Sequence, residues 1–190
     1  MAKQRLSLFI SGIGSNAVNI IDFLKESKLM EVVAVLATKE NKVVQSLCES
    51  KGIQFELFSQ KPIEALDLVK FCDKNTIDWI ILAGFLKKIP LELLQQFPNK
   101  IINLHPALLP KYGGKGMYGM YVHETVIEEK ETVSGITIHF VNQEFDEGEI
   151  IAQFETKLEI DETATSLAAK IHDLEMNYFP KTIENIITSR

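Results

Sequence analysis

The chain has 190 residues, a hydrophobic fraction of 46% and a formal net charge of −6. That size and composition lead to the expectation of one domain with a full core, spanning 1–190. The acidic balance argues against a nucleic-acid surface, and no apolar stretch reaches the ~20 residues of a membrane span.

Leu6–Ile10 is predicted as the first strand, too short for the apolar region of a secretory signal. The turn Ser11–Asn16 (SGIGSN) follows, then a helix with Val18, Ile21 and Leu24 at helical spacing. Val32–Ala37 reads as a second strand, Lys42–Ser50 as a helix closed by Gly52, and Ile53–Leu57 as a short third strand. Pro62 sits at a plausible first helical position for a helix over Ile63–Phe71. Ile77–Ala83 is nearly continuous in apolar residues, as a central parallel strand would be, and Gly84 ends it. Leu91–Phe97 follows Pro90 as a short helix, and Lys100–Leu104 is a fifth strand. Thr132–Asn142 alternates and is rich in β-branched residues. Glu149–Phe154 is its expected antiparallel partner, and Ala164–Tyr178 a final helix. Strands alternating with helices point to an α/β fold: an open, mostly parallel, Rossmann-like sheet with helices on both faces, and antiparallel strands added in the C-terminal half.

Cys48 and Cys72 stand apart from each other and from any CxxC pair or His cluster. Ordinary buried thiols in a reducing, cytoplasmic setting are expected, with no zinc site or disulfide framework. No HxxxH or HxH pair suggests a metal. Arginine occurs only at Arg5 and Arg190. An anion bound in the interior would therefore rely on Lys, backbone N–H groups or helix N-termini.

Two segments carry chemistry. In SGIGSN, two glycines permit close backbone approach, and Ser15 and Asn16 stand at a helix N-terminus where unpaired N–H groups favour a phosphate. The third Gly of GxGxxG is missing, and spacing alone leaves open a simple tight turn with a Ser or Asn cap. The second segment, Asn103–His123, reads NLHPALLPKYGGKGMYGMYVH. Strand alternation puts Asn103 and His105 on one side, and an amide beside an imidazole can stabilise an oxyanion and shuttle a proton. A carboxylate at Asp146, in EFDEG, could orient His105, but Glu144, Glu147 and Glu149 crowd the same turn and spacing alone does not single it out. His123 and His172 lie on predicted helices and read as surface or packing residues.

Taken together, SGIGSN, LAGF (Leu82–Phe85), NLHPALLPKY (Asn103–Tyr112) and GITIHFVNQEFDEG (Gly135–Gly148) resemble the folate-dependent formyltransferases of purine synthesis, specifically the glycinamide ribonucleotide formyltransferase family. The resemblance is colinear over essentially the whole chain. It implies that Asn103, His105 and Asp146 are the catalytic trio, with His139 nearby on the folate side. It further implies that Gly14, Ser15 and Asn16 hold the ribonucleotide phosphate, that Glu175 contacts the glycinamide, and that Leu86, Lys87, Lys88 and Ile89 contact the pterin. The implied reaction passes the formyl group of 10-formyltetrahydrofolate to the substrate amine by direct attack, without metal. The implied partners are these small molecules, with no nucleic acid or membrane, for a monomer or a homodimer alike.

The chain departs from the common family pattern in three places. Leu-Lys-Lys-Ile follows LAGF where Met-Arg-Ile is frequent. The stretch after LLPKY is unusually rich in glycine. An arginine that some relatives carry ahead of the Ile63–Phe71 segment is missing. Lys115, between Gly114 and Gly116, becomes a candidate phosphate ligand. Methionyl-tRNA formyltransferase shares the Asn-x-His and LLP signature but would need a further C-terminal domain and a basic RNA-facing surface. Formyltetrahydrofolate hydrolase usually carries an N-terminal regulatory domain.

Overall fold

A computed structural model describes residues 2–59 and 63–189. The elements in chain order are β1 (Gln4–Ile10), α1 (Ser15–Leu24), β2 (Met30–Ala37), α2 (Lys42–Lys51), β3 (Gln54–Leu57), α3 (Ala65–Lys74), β4 (Trp79–Leu82), α4 (Leu91–Gln96), β5 (Ile101–His105), α5 (Met120–Glu128), β6 (Val133–Phe140), β7 (Ile150–Lys157) and α6 (Ala164–Thr188). One seven-stranded sheet has the order β3-β2-β1-β4-β5-β6-β7. The first five strands are parallel, while β6 runs antiparallel to β5 and β7 antiparallel to β6.

Strand periodicity divides the core in two. Leu6, Leu8 and Ile10 of β1 face a cluster built with α1, α2, α5 and α6. Phe9 faces the opposite cluster, with Leu68, Phe71 and Cys72 of α3 and Leu93 of α4. Both faces of the sheet are therefore covered, and the expected architecture is the one observed. The order reverses at β1 and β4, so the crevice beyond their carboxyl ends is where a ligand belongs in such a sheet. The loops after these two strands meet there, with Ser11 N–H donating to the Gly84 carbonyl at 3.0 Å.

Several element boundaries differ from the sequence expectations. The third helix begins at Ala65, with Glu64 as its cap, leaving Ile63 outside; Pro62 lies outside the described residues. Helix α4 begins at Leu91 as expected, with Pro90 as its N-cap, but ends at Gln96, one residue short of Phe97. The last helix runs beyond Tyr178 to Thr188, straight through Pro180. A proline inside a helix leaves the carbonyl four residues back without its N–H donor. Here Met176 is that residue, and its carbonyl accepts from Asn19 Nδ2 of α1 at 2.8 Å. A tertiary hydrogen bond thus replaces the lost helical one, and Phe179, Pro180 and Ile183 stay buried.

Candidate active site

His105 ends β5, and its ring is almost wholly enclosed, with 4% of the side chain accessible. Its Nε2 lies 2.7 Å from the Tyr112 carbonyl, which can only accept, so Nε2 carries a proton. Its Nδ1 faces Asp146 Oδ2 at 3.4 Å. The neutral ring therefore keeps its lone pair on Nδ1, and a proton taken up there is met by a carboxylate. Burial is the largest influence on His105 and pushes its pKa below the usual 6.5, while Asp146 and the Tyr112 carbonyl pull the other way. Burial also disfavours the Asp146 carboxylate, but the His139 and His105 rings and the Gly114 N–H together hold its pKa below the ordinary value.

Asn103 and His139 complete the cluster. They are paired across the β5–β6 ladder. His139 Nδ1 sits 2.8 Å from the Phe140 carbonyl and so bears the proton, leaving Nε2 to accept from Asn103 Nδ2 at 3.1 Å. Asn103 Nδ2 also reaches Asp146 Oδ1 at 3.4 Å. Asp146 in turn takes the Gly114 N–H on Oδ2 at 3.0 Å. Two backbone conformations support this geometry. Tyr112 and Asp146 have φ of 57° and 60°, left-handed values that side chains seldom adopt and that functional sites often retain. The turn carrying Asp146 closes tightly on β6 at Gly148, where a Cβ would fall 1.6 Å from the Phe140 carbonyl oxygen.

On one side of this cluster lies the N-terminus of α1. Its cap, Gly14, has φ of 81°, and no side chain caps the helix. The first-turn N–H groups and the helix dipole therefore remain available to an anion. Asn16 Nδ2 donates to Glu175 Oε2 of α6 at 2.7 Å. Burial raises the Glu175 carboxyl, while the Asn16 amide and the nearby His172 ring oppose the shift. Leu86–Ile89, after β4, also line the site. Lys88 lies 3.8 Å from Glu144 and 5.9 Å from the centre of the Phe145 ring. Leu86 N–H is already taken by Ser11 Oγ at 3.1 Å, so that group is not free for a ligand.

A single cavity of about 630 Å³ joins these parts. It is lined by every residue that the sequence singled out: Gly14, Ser15, Asn16, Leu86, Lys87, Lys88, Ile89, Asn103, His105, Lys115, His139, Asp146 and Glu175. Among the described residues no group of three or more His, Cys, Asp or Glu is arranged to hold a metal. Cys48 and Cys72 are buried away from it, and burial drives their thiols up to about 11 and about 12.

Residues 4–183 match the formyl transferase family model. Over 99% of its length the chain is 36% identical to the chloroplastic phosphoribosylglycinamide formyltransferase of Arabidopsis thaliana, of which it covers 67%. It is 37% identical to the Vigna unguiculata counterpart and covers 62% of that protein. The chain belongs to the phosphoribosylglycinamide formyltransferase family. The crystal structure of the Bacillus halodurans member superposes with a TM-score of 0.86 at 29% identity, over 97% of this chain and 95% of that one.

Several groups at this formyltransferase site escaped the sequence reading. His123, expected on a surface or in packing, is 6% exposed and lines the cavity. His139, by contrast, lies against Asn103 and Asp146, near the trio as the resemblance implied. The Tyr112 carbonyl, which fixes the His105 ring, has no side-chain signature at all. Thr137, fully buried, donates to the Ala107 carbonyl at 2.7 Å and accepts from Leu109 N–H and Gln153 Nε2, each at 2.9 Å. Gln153 also donates to the Leu109 carbonyl at 2.9 Å. This pair holds the loop between His105 and Tyr112. The β-strand alternation of Thr132–Asn142 located Thr137 on a strand but carried no hint of its partners.

Proposed function

We propose that the chain transfers the formyl group of 10-formyltetrahydrofolate to the amine of glycinamide ribonucleotide, giving formylglycinamide ribonucleotide and tetrahydrofolate in purine biosynthesis. The observation that carries this reading is the convergence of Asn103, His105 and Asp146 on one cavity, between an uncapped helix N-terminus with Glu175 and the Leu86–Ile89 segment. The first wall suits a phosphate and an amine-bearing arm. The second, with Leu86, Ile89 and Phe145, suits a flat heterocycle. A cavity of this size falls within the range of small-molecule sites.

In the reaction the amine nitrogen attacks the formyl carbon, and the carbonyl electron pair moves onto oxygen. Asn103 Nδ2 donates to that oxyanion the N–H that otherwise reaches Asp146 Oδ1 at 3.4 Å. His105 Nδ1 takes the proton that the attacking nitrogen loses, and the imidazolium so formed adds a second donor beside the oxyanion. Asp146 stabilises the imidazolium. Collapse of the tetrahedral intermediate re-forms the carbonyl and expels the folate nitrogen, which receives the proton from His105. The protein's own groups form no covalent bond to the formyl carbon. Asn16 and Glu175 hold the glycinamide arm, the α1 N-terminus holds the phosphate with Lys115 as a further candidate ligand, and Leu86–Ile89 hold the pterin.

The test follows folate absorbance with and without the ribonucleotide. Tetrahydrofolate formation only when the ribonucleotide is present supports the transfer. Release of formate without an acceptor would assign a hydrolase instead, and no turnover in either case would leave a binding module. Among the described residues no helix is long and apolar enough to cross a membrane. The free, buried cysteines fit the proposed cytoplasmic location.

A further inference from the structure

Among the described residues, two buried side-chain atoms lack a hydrogen-bond partner: Asn16 Oδ1 and His123 Nδ1. Both residues line the reaction cavity. Buried polar groups are nearly always satisfied, so an exception at a cavity wall points to a side chain kept there for function. Asn16 is already paired with Glu175 through its amide nitrogen. His123 makes no hydrogen bond through either ring nitrogen among the described residues.

His123 sits one turn inside α5, which begins at Met120, capped by Gly119 at the end of the glycine-rich loop. Helix α5 packs on α6, and α6 packs on α1. His123 lines the same cavity as Asn16 and Glu175. Its one electrostatic neighbour is His105, so it stands near the reacting centre. Since Nδ1 is sealed from solvent, the neutral tautomer of lower cost keeps a bare lone pair there and the proton on Nε2. Nε2, which is not among the sealed atoms, is then the donor that the ring has left for the cavity it lines. Near His105, the acceptor that the ribonucleotide offers is the glycinamide carbonyl, two bonds from the attacking amine.

We propose that His123 is a substrate-orienting residue whose Nε2–H binds the glycinamide carbonyl oxygen of the ribonucleotide. The hydrogen bond turns the amine towards the formyl carbon and sets the glycinamide arm apart from other amines on a ribose phosphate. Burial, and to a lesser degree His105, holds the His123 pKa below 6.5, which keeps the ring in the neutral form this role needs. The inference rests on the formyl-transfer reading given above.

The experiment measures binding by calorimetry for wild type, His123→Leu and His123→Gln. The ligands are glycinamide ribonucleotide, ribose 5-phosphate and a folate analogue without a transferable formyl group. Loss of a hydrogen bond that leaves a buried carbonyl unpaired predicts a roughly 10- to 100-fold rise in ribonucleotide Kd for His123→Leu. Ribose 5-phosphate and the folate analogue should bind as to wild type. His123→Gln, whose amide nitrogen reaches the Nε2 position, should recover affinity to within about threefold of wild type, since its N–H restores the lost donor. The ligand-free melting temperature of His123→Leu should be unchanged or higher, because an unpaired buried nitrogen has been removed. A melting temperature that falls together with all three affinities would make His123 structural. An equal loss for ribose 5-phosphate would place its contact on the phosphate, and an unchanged ribonucleotide Kd would remove it from the site. Each of these outcomes overturns the proposal. Wild type that binds the folate analogue but no ribonucleotide overturns the transfer reading itself, before any variant is compared.

Discussion

Replacing Asp146 by Asn removes one charge and the weak acceptor that Asn103 Nδ2 reaches at 3.4 Å. Asn tolerates the left-handed φ of 60° at this position, and its Oδ1 can still accept the Gly114 N–H that ties the glycine-rich loop to the site. What disappears is the carboxylate 3.4 Å from His105 Nδ1. At that separation a charge pair is worth ~5 kcal/mol for an effective dielectric of 20, and about 1 kcal/mol if water reaches it freely. His105 is neutral before the transfer and cationic during it, so the whole interaction develops along the reaction coordinate. Asp146 retains 11% of its side-chain exposure, which favours the upper part of that range. The expected fall in kcat is therefore roughly 10²- to 10³-fold. The pH profile supplies a second readout. Asp146 raises the His105 pKa against the dominant effect of burial, so its removal lowers that pKa further. The acid limb of kcat/KM should move to lower pH while the plateau drops. Initial rates from pH 5 to 9, with circular dichroism to establish folding, measure both. Near-normal turnover, or an acid limb displaced to higher pH, would refute the role assigned to Asp146.

Thr137→Val keeps the shape but leaves the Leu109 N–H and the Ala107 carbonyl unpaired in a fully buried position. Urea unfolding should show a loss of about 2–4 kcal/mol, and kcat should fall as the Tyr112 carbonyl loses its hold on His105. Asn19→Ala strips the Met176 carbonyl of its replacement donor at the proline of α6, and about 1 kcal/mol of stability should go with unchanged KM values. Lys115→Ala should raise KM for the ribonucleotide with little change in kcat; an unchanged KM removes Lys115 from the phosphate site. His105 and His123 both have pKa values below 6.5 in the folded chain, so the unfolded chain binds more protons in that range. Their contribution to stability is complete above about pH 6.5 and is lost as pH falls through their folded values. The melting temperature of His123→Leu should therefore decline less than that of wild type between pH 7 and pH 5.

Local pattern was enough wherever the physics is local. Near-continuous apolar runs marked β4 and β5, alternation marked β6, and Gly84 and Gly52 marked the ends of a strand and a helix. The glycines of SGIGSN marked the strand–helix turn at the switch point, and strand periodicity placed Asn103 and His105 on one side. The motifs as a set carried the family resemblance, and with it the candidate roles of Asp146 and Glu175. Tertiary structure decided the rest, because the deciding partners are far apart in the chain or belong to the backbone. Asn16 meets Glu175 across 159 positions. The Met176 carbonyl finds Asn19 across 157 and lets α6 continue through Pro180, where sequence rules stop a helix. The His105 tautomer depends on the Tyr112 carbonyl, an atom that any residue would present. His123 looked like an ordinary helical histidine until α5 was seated on α6 and turned its unpaired ring towards the cavity. Sequence determined which residues were chemically able to act, and packing determined which of them share one enclosed space and in what protonation state.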